Sequence, residues 1–205
     1  MKQFITFMFI VSAINFSFGQ EAYFSIGRNF TTYDYTNSEG ESNENIEGSS
    51  GSSYELGYVF PLGEKFGLAA GLTLNAFNAT GGTMASNYSW KTNYLGLQGI
   101  AKYAILGNSR SDFGLSLNLG VNINHIINGQ QKINGQTFDL TNEDEFKGIF
   151  VQPLLGLNAH YYILNNLALG VGYHYSKSFG LTNSTPQNLN FNNSQLQFNI
   201  IMSLN

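Results

Sequence analysis

Most of the chain alternates between apolar and polar positions with a period of two residues. The stretch FGLSLNLGVNI, Phe113 to Ile123, is typical: its odd positions are large and apolar, and its even positions are Gly, Ser or Asn. A period of two indicates a β-strand. A strand of a water-soluble domain usually turns charged or long polar side chains to solvent, and here the second face has none. The pattern therefore raises the question of which face meets which solvent.

The same alternation predicts eight strands along the chain. They cover residues 22–35, 53–62, 66–78, 90–105, 113–123, 149–163, 167–175 and 194–204. The connections PLGEK, LGNSRSD and LNN are short, whereas TNSEGESNENIEGSSG, ATGGTMASN, NGQQKINGQTFDLTNEDEFKG and SKSFGLTNSTPQNLNFNN are longer and more polar. Short turns at one end and long loops at the other are typical of outer-membrane barrels, whose turns are periplasmic and whose loops are outside the cell.

We therefore predict an all-β protein, an eight-stranded antiparallel up-and-down transmembrane β-barrel in the outer membrane of a Gram-negative bacterium. The Leu-rich face of each strand would contact lipid, and the Gly, Ser and Asn face would line the interior. Eight strands leave room only for side chains inside, so we expect a packed lumen of small and polar groups. The competing interpretation is a soluble barrel or sandwich, which would need the charged outer face that these strands lack.

Composition agrees with a membrane barrel and excludes several kinds of site. Charged residues make up 11% of the chain, against ~25% in soluble globular proteins. The chain has no cysteine, which excludes disulfides, thiol chemistry and cysteine-based zinc sites. A net charge of -4 argues against electrostatic binding of nucleic acid.

The N-terminus has the pattern of a secretory signal peptide. Met1 and Lys2 give a basic start, FITFMFIVSAINF is apolar, and SFG ends with small residues. We predict cleavage before Gln20, so that residues 1–19 are the signal peptide and 20–205 the barrel domain. A membrane anchor helix is disfavoured because the apolar run is shorter than the ~20 residues needed to span a bilayer.

One strand resembles a known family. YLGLQGIAKY, Tyr94 to Tyr103, is similar to a strand of the PorT-like, porin-family outer-membrane barrels of Bacteroidota, with matches at Tyr94, Leu95, Leu97, Lys102 and Tyr103. Gly96 and Gln98 depart from that pattern, which has an acidic residue and a proline there. LALGVGYHYSKSFGLTN also resembles the family's aromatic strand and its Gly-Leu-x-Asn exit. The resemblance implies a barrel fold more than an activity.

Several charged and polar residues are candidates for the lumen. If Arg28 and Glu55 both face inward, they form a buried ion pair, with Gln98 and Lys102 nearer the turns. Strict alternation would instead turn Arg28 to lipid at a cost of ~2–4 kcal/mol near the midplane, and a bulge at Gly27 would resolve the conflict. Two interpretations of these residues are open. They could form a gate or a proton path, or they could fill the lumen and fix the strand register, and we favour the second interpretation.

The two histidines with inward parity are His160 and His174, on neighbouring predicted strands. Two imidazoles can hold a metal, but the strands offer no carboxylate beside them, so we predict no metal site and treat both as lumen side chains.

Acidic residues concentrate in two of the long loops. They are Glu39, Glu41, Glu44 and Glu47 in the first, and Asp139, Glu143, Asp144 and Glu145 in the third. Carboxylates suit calcium or a cationic partner at the cell surface. Neither run has the D-x-[DN]-x-[DN]-G spacing of a calcium loop, so solvated acidic loops are the favoured interpretation.

The sequence does not specify a biochemical role. No G-x-S-x-G motif occurs, and parity places no Ser/His/Asp set together, so we predict that the protein is not an enzyme and has no cofactor. The leading hypothesis is a monomeric, non-catalytic barrel with a structural or partner-binding role, which contacts the bilayer, the barrel-insertion machinery and an unknown surface or envelope protein. The alternatives are a narrow pore or carrier for small solutes, and an accessory subunit of a secretion or uptake assembly.

Overall fold

The computed structural model of the protein describes residues 20–42, 46–83, 86–107, 111–181 and 187–204. The predicted signal peptide, residues 1–19, lies outside these ranges. The described strands are β1 Gln20–Thr36, β2 Ile46–Pro61, β3 Phe66–Thr83, β4 Ser86–Leu106, β5 Phe113–Ile133, β6 Gln136–Asp139, β7 Ile149–Leu164, β8 Leu167–Gly180 and β9 Asn188–Leu204. Within the described ranges, no helix is long and apolar enough to cross a bilayer.

Eight of these strands close into one antiparallel barrel. The sheet runs in the order β4-β3-β2-β1-β9-β8-β7-β5, and the additional pairing of β4 with β5 closes it. β6 lies outside this ring and pairs with β5 alone. The predicted eight-stranded up-and-down barrel is confirmed. Closure gives every barrel strand two neighbours, which leaves no open sheet edge in the hydrocarbon.

The barrel has two different ends. Connections 62–65, 107–112 and 165–166 meet at the end that we call the turn end, together with the first residues of β1 and the last of β9. Gly107, directly after β4, adopts a φ of 70°, which glycine tolerates without strain. The opposite end, which carries the connections after β1, β3, β5 and β8, is the loop end.

From the turn end to about mid-height, the outer wall is an apolar belt. Leu97 is 64% exposed and Leu119 is 62% exposed, although both are large aliphatic side chains. The belt also includes Phe24, Ile26, Leu56, Tyr58, Leu68, Leu72, Leu95, Leu117, Val121, Ile123, Leu155, Leu157, Val171, Leu196, Phe198 and Ile200. The Leu-rich face of the opening stretch therefore meets lipid, while Asn118 and Asn122 are buried in the lumen.

Above the belt, the polarity of the wall reverses. Inward positions there are aromatic or aliphatic, as at Tyr33, Phe77 and Phe191, which are all buried. Outward positions become polar, and Asp34 forms an ion pair with Lys177 at 3.5 Å. The barrel thus has a polar lumen where lipid surrounds it and an apolar core where water surrounds it. The prediction that only small and polar groups fill the lumen was wrong for this loop-end half.

The strands extend further than the alternation predicted. β4 and β5 have 21 residues each, whereas a strand needs only ~9–11 to cross the bilayer. β2 begins at Ile46 instead of Ser53, and β9 begins at Asn188 instead of Ser194. The predicted loop ATGGTMASN is mostly strand, since β3 ends at Thr83 and β4 starts at Ser86. The prediction ended these strands too early because their outer face turns polar above the belt.

A hairpin that the alternation did not predict extends β5. Ile133 pairs with Gln136 across the two-residue turn Asn134–Gly135, whose φ values are 48° and 87°. Positive φ at both central positions is the requirement of the Asn-Gly hairpin turn. The NG dipeptide was therefore the sequence signal for β6, and the hairpin brings the next segment of chain back over the loop end.

The belt generates a direct test. Replacing Leu119 with Lys should lower the free energy of unfolding by ~2–4 kcal/mol, because a charged side chain then faces hydrocarbon near mid-membrane. Replacing the exposed Thr80 with Lys, above the belt, should change it by less than about 0.5 kcal/mol. Urea unfolding in lipid vesicles measures both. Equal stability of the two variants would contradict the assigned belt.

Candidate functional site

The loop end of the lumen is closed by five buried rings, which we call the aromatic plug. They are Tyr33, Phe77, Tyr94, Phe150 and Phe191. The ring of Phe191 lies at the centre, with its centroid 4.9 Å from that of Tyr33, 5.3 Å from Phe77, 5.6 Å from Tyr94 and 5.2 Å from Phe150. Because four different strands supply its partners, the plug ties the loop-end half of the barrel wall together.

The tyrosine hydroxyls of the plug form hydrogen bonds, in addition to the packing contacts of their rings. The Tyr33 hydroxyl donates to the carbonyl oxygen of Phe77 at 2.9 Å, and the Tyr94 hydroxyl donates to that of Phe146 at 3.4 Å. A buried hydroxyl without a partner would destabilise the core by about 1–3 kcal/mol. The tyrosines can therefore lie deep in an apolar cluster.

Residues 139–147 fold over the plug, and we call them the lid segment. Leu140 and Phe146 are buried against the plug, and the Leu140 amide donates to the Gly129 carbonyl at 3.0 Å. Asp139 accepts hydrogen bonds from the amide and hydroxyl of Thr141 at 2.8 and 2.7 Å. These bonds, the backbone bond first, lower the pKa of Asp139 below its ordinary value. The lid segment is therefore a defined turn, fixed at both its start and its end.

Above the plug, the loop end opens into a concave cup of about 460 Å³. It is lined by Tyr33, Tyr35, Ile46, Trp90, Gln131, Ile133, Phe138, Leu140, Glu143, Glu145, Phe146, Gln187 and Leu189. Trp90 is the single tryptophan of the chain, and its ring stacks on Tyr88 at 6.1 Å. Aromatic walls, two amides and two carboxylates around one concavity have the character of a binding site.

The predicted acidic residues divide between the cup and its surroundings. Glu143 and Glu145 line the cup. Asp144 pairs with Lys147 in the lid segment. Glu39 and Glu41 lie in the loop after β1, where both amides donate to the side-chain oxygen of Asn37 at 3.0 and 2.8 Å.

The remaining acidic candidates do not complete a metal site. Glu47 is exposed on β2, and Glu44 lies outside the described residues. Across the described part of the chain, no group of three or more His, Asp or Glu side chains is arranged to hold a metal ion.

Below the plug, the lumen holds a network of amides and hydroxyls. The Gln195 side-chain amide donates to Glu55 at 2.9 Å and to Ser53 at 2.6 Å. Asn124 donates to Gln152 at 3.0 Å, and Gln152 donates to Ser176 at 2.8 Å. Since these bonds cross from strand to strand, they hold the wall together from within.

The other lumen candidates lie in the same polar half. Gln98 and His174 are buried, and a side-chain nitrogen of Asn118 lies 3.2 Å from Nε2 of His174. Lys102, His160 and His174 line a cavity of about 30 Å³, and Glu55 lines it from another side. A second cavity, of about 60 Å³, lies nearer the turn end. Spaces of this size hold a few water molecules and are too small for a passing solute.

Arg28 does not join this network. Its side chain is exposed on the outer wall and donates from Nη1 to the hydroxyl of Ser50 at 2.9 Å. The register of β1 runs without a shift through Gly27 against both neighbours, so the proposed bulge is absent from β1. The predicted lumen ion pair with Glu55 is therefore wrong, because strict alternation turns Arg28 outward.

Comparison with known proteins identifies the fold and no family. No protein-family profile matches the sequence, and no curated protein matches it. The outer membrane protease OmpT from Escherichia coli is 10% identical over 92% of this chain and 98% of that chain, with a TM-score of 0.50. Ail, the attachment invasion locus protein of Yersinia pestis, is 12% identical over 90% and 99%, with a TM-score of 0.46. The outer membrane enzyme PagL is 10% identical over 87% and 97%, with a TM-score of 0.42.

These findings, together with the apolar belt, show what kind of protein the chain is. It is a small β-barrel of the bacterial outer membrane. The likeness to OmpT overturns the prediction that the protein is not an enzyme, since a protease is built on the same fold. The lack of a familiar sequence motif was an insufficient reason for that exclusion, because this fold also carries a protease.

The plug generates a prediction about stability. Replacing Phe191 with Ala should lower the free energy of unfolding by about 3–5 kcal/mol, since it leaves a cavity at the centre of four rings. Phe179, on the outer wall above the belt, is the matched control, and its replacement with Ala should cost about 1 kcal/mol or less. Urea unfolding in vesicles distinguishes the two. A smaller loss for Phe191 than for Phe179 would show that the plug is not a packed core.

The plug also predicts that the barrel does not conduct ions. The purified barrel should give no stable conductance in planar bilayers, because rings fill the loop-end half of the lumen and side-chain amides fill the other half. Discrete single-channel steps from the unmodified protein would contradict a sealed lumen.

Proposed function

We propose that this protein is a surface recognition barrel whose cup binds a partner that presents a cationic group on an apolar segment. One observation supports this most directly: an aromatic, acid-bearing cup stands above a lumen that side chains fill. The short connections at the turn end suggest that the cup faces the cell exterior, as in other outer-membrane barrels.

The chemistry of the cup favours a cation. Glu143 and Glu145 bring two carboxylates to its wall, while the neighbouring Lys147 is paired with Asp144. The aromatic rings of Trp90 and Tyr35 also line the cup, and aromatic rings attract ammonium and guanidinium groups. Ile46, Ile133 and Phe138 offer apolar contact for the rest of a ligand. A lysine or arginine side chain flanked by an aliphatic residue satisfies each of these features.

The cup is also held in shape before a ligand arrives. The lid segment is fixed by its hydrogen bonds and by Leu140 and Phe146, and the Tyr35 hydroxyl donates to the Gln187 side chain at 2.7 Å. A preorganised site loses less conformational entropy on binding than a loop that must first become ordered. The barrel below serves as a rigid membrane anchor for that site.

Transport is less well supported than recognition. A pore or carrier would need the plug to move aside, and its ring contacts bridge four strands. An accessory role in a secretion or uptake assembly remains the second proposal, since it rests on the resemblance to PorT-like barrels. Tyr94 of that motif belongs to the plug, and Lys102 lines the lumen cavities.

We also propose how the protein reaches the membrane. Residues 1–19 would be removed as a signal peptide, and the barrel-insertion machinery would place the mature barrel in the outer membrane as a monomer. The apolar outward face of β9 supports recognition by that machinery, with Phe198, Ile200 and Met202 all outward.

Trp90 provides a direct test of the cup. Excited selectively, its fluorescence should change on titration with the synthetic peptide Lys-Leu-Lys and should not change with Glu-Leu-Glu. The Glu143→Gln/Glu145→Gln double variant should bind Lys-Leu-Lys about three- to tenfold more weakly, since each charge contributes up to about 1 kcal/mol at a solvated rim. Binding should also weaken with rising salt.

Glu64→Gln is the matched control, because Glu64 is an exposed carboxylate at the turn end. It should bind Lys-Leu-Lys as the unmodified protein does. Equal binding of the acidic and basic peptides, or an unchanged affinity in the double variant, would refute the proposed preference for cations.

A further inference from the structure

A second concavity lies on the outer wall, away from the cup and the lumen. It has a volume of about 870 Å³ and is lined by residues of β1, β2, β3, β4, β8 and β9. We call it the outer groove. Its floor is backbone and small side chains, including Gly27, Gly51 and Ala76. Its rim carries two cations, Arg28 and Lys91.

A local irregularity of the wall forms the floor. The register of β2 against β3 shifts between Gly48 and Ser53, so the strand bulges there. A Cβ atom at Gly51 would overlap the carbonyl oxygen of Ala76, which shows how closely the two backbones approach. Asn29 donates to the carbonyls of Ser52 and Ala76 at 3.3 Å each, and Asn78 donates to that of Ser50 at 2.9 Å. Side-chain hydrogen bonds therefore stabilise the bulge.

The groove lies at the loop-end edge of the apolar belt. Arg28 stands between the outward residues Ile26 and Phe30 on β1, and its register partners are Leu196 and Ser52. The turn-end wall of the groove is apolar, with Ile26, Tyr54 and Phe198. The loop-end side carries Lys91 and Asn78 beside the exposed ring of Phe30. The groove thus spans the boundary between hydrocarbon and headgroups.

The two cations have no acidic partner within the described residues. The ion pairs there join Lys147 to Asp144 and Lys177 to Asp34, and neither involves the groove. Arg28 uses one N–H on Ser50, and its guanidinium has five donors. An anion that pairs with a charge at the edge of the hydrocarbon stabilises it through charge-assisted hydrogen bonds. Among the residues that line the groove, none carries a carboxylate that could serve as this anion.

We propose that the outer groove binds the phosphate group of an anionic glycolipid of the outer leaflet. Arg28 and Lys91 contact the phosphate, Ser50 and Asn78 lie beside it, and an acyl chain follows the apolar wall toward the turn end. Charge complementarity selects this ligand, because its charged group and its acyl chains meet at the boundary that the groove spans. Guanidinium and ammonium groups together are well suited to phosphate oxygens.

Native mass spectrometry of the full barrel, stripped of lipid in detergent, tests this proposal. The probes are bisphosphorylated lipid A and the same lipid after removal of its phosphates. The unmodified protein should bind the phosphorylated form about tenfold or more tightly than the dephosphorylated form, since charge-assisted hydrogen bonds contribute on this scale. This comparison needs no variant, so it does not depend on how any variant folds.

The Arg28→Gln/Lys91→Gln variant should lose that preference. Lys65→Gln/Lys147→Gln removes the same charge outside the groove and should keep it. Urea unfolding in vesicles verifies that both variants fold. Equal binding of the two lipid forms by the unmodified protein, or an equal loss in both double variants, would overturn the proposal.

Discussion

Hydrocarbon offers no hydrogen-bond partner to a backbone N–H or C=O group, and the architecture of this protein depends on that constraint. An open sheet would leave two rows of such groups unpaired in the bilayer. Pairing β4 with β5 removes them, and it requires all eight barrel strands to exist together. Once the ring is closed, the pleat assigns alternate side chains to lipid and to the lumen. The belt, the amide network and the small cavities are consequences of that assignment.

The sequence predicts the membrane half of the molecule well. In the stretch from Phe113 to Ile123, large apolar residues alternate with Gly, Ser or Asn without exception, so the strand and the direction that each side chain faces follow from the period alone. The same rule, applied strictly, also turns Arg28 outward. The error there came from supposing that a charge must avoid the outer wall, which overlooked how close Arg28 lies to the edge of the belt. The prediction gave more weight to the energetic cost of an outward arginine than to the strict alternation of side chains along the strand.

The loop-end half was harder to predict because the solvent changes along each strand. On β3 the inward positions pass from Thr73 and Asn75 to Phe77, and the outward positions pass from leucines to Asn78. Both faces change at the same height, so the change resembles the end of a strand followed by a loop. The plug and the cup combine residues far apart in sequence, from Tyr33 to Phe191, and one sequence cannot show that they meet. The NG turn before β6 was a local signal that could have been used.

The reversal of polarity along the wall fixes the height of the barrel in the membrane. If the barrel moved inward along its axis, the paired side chains of Asp34 and Lys177 would enter acyl chains. If it moved outward, Leu196 and Phe198 would be left in water. Acyl chains oppose the inward displacement and water opposes the outward one, so the barrel has one stable height in the membrane. The cup therefore stands at a constant distance above the lipid, within reach of some neighbouring molecules and out of reach of others.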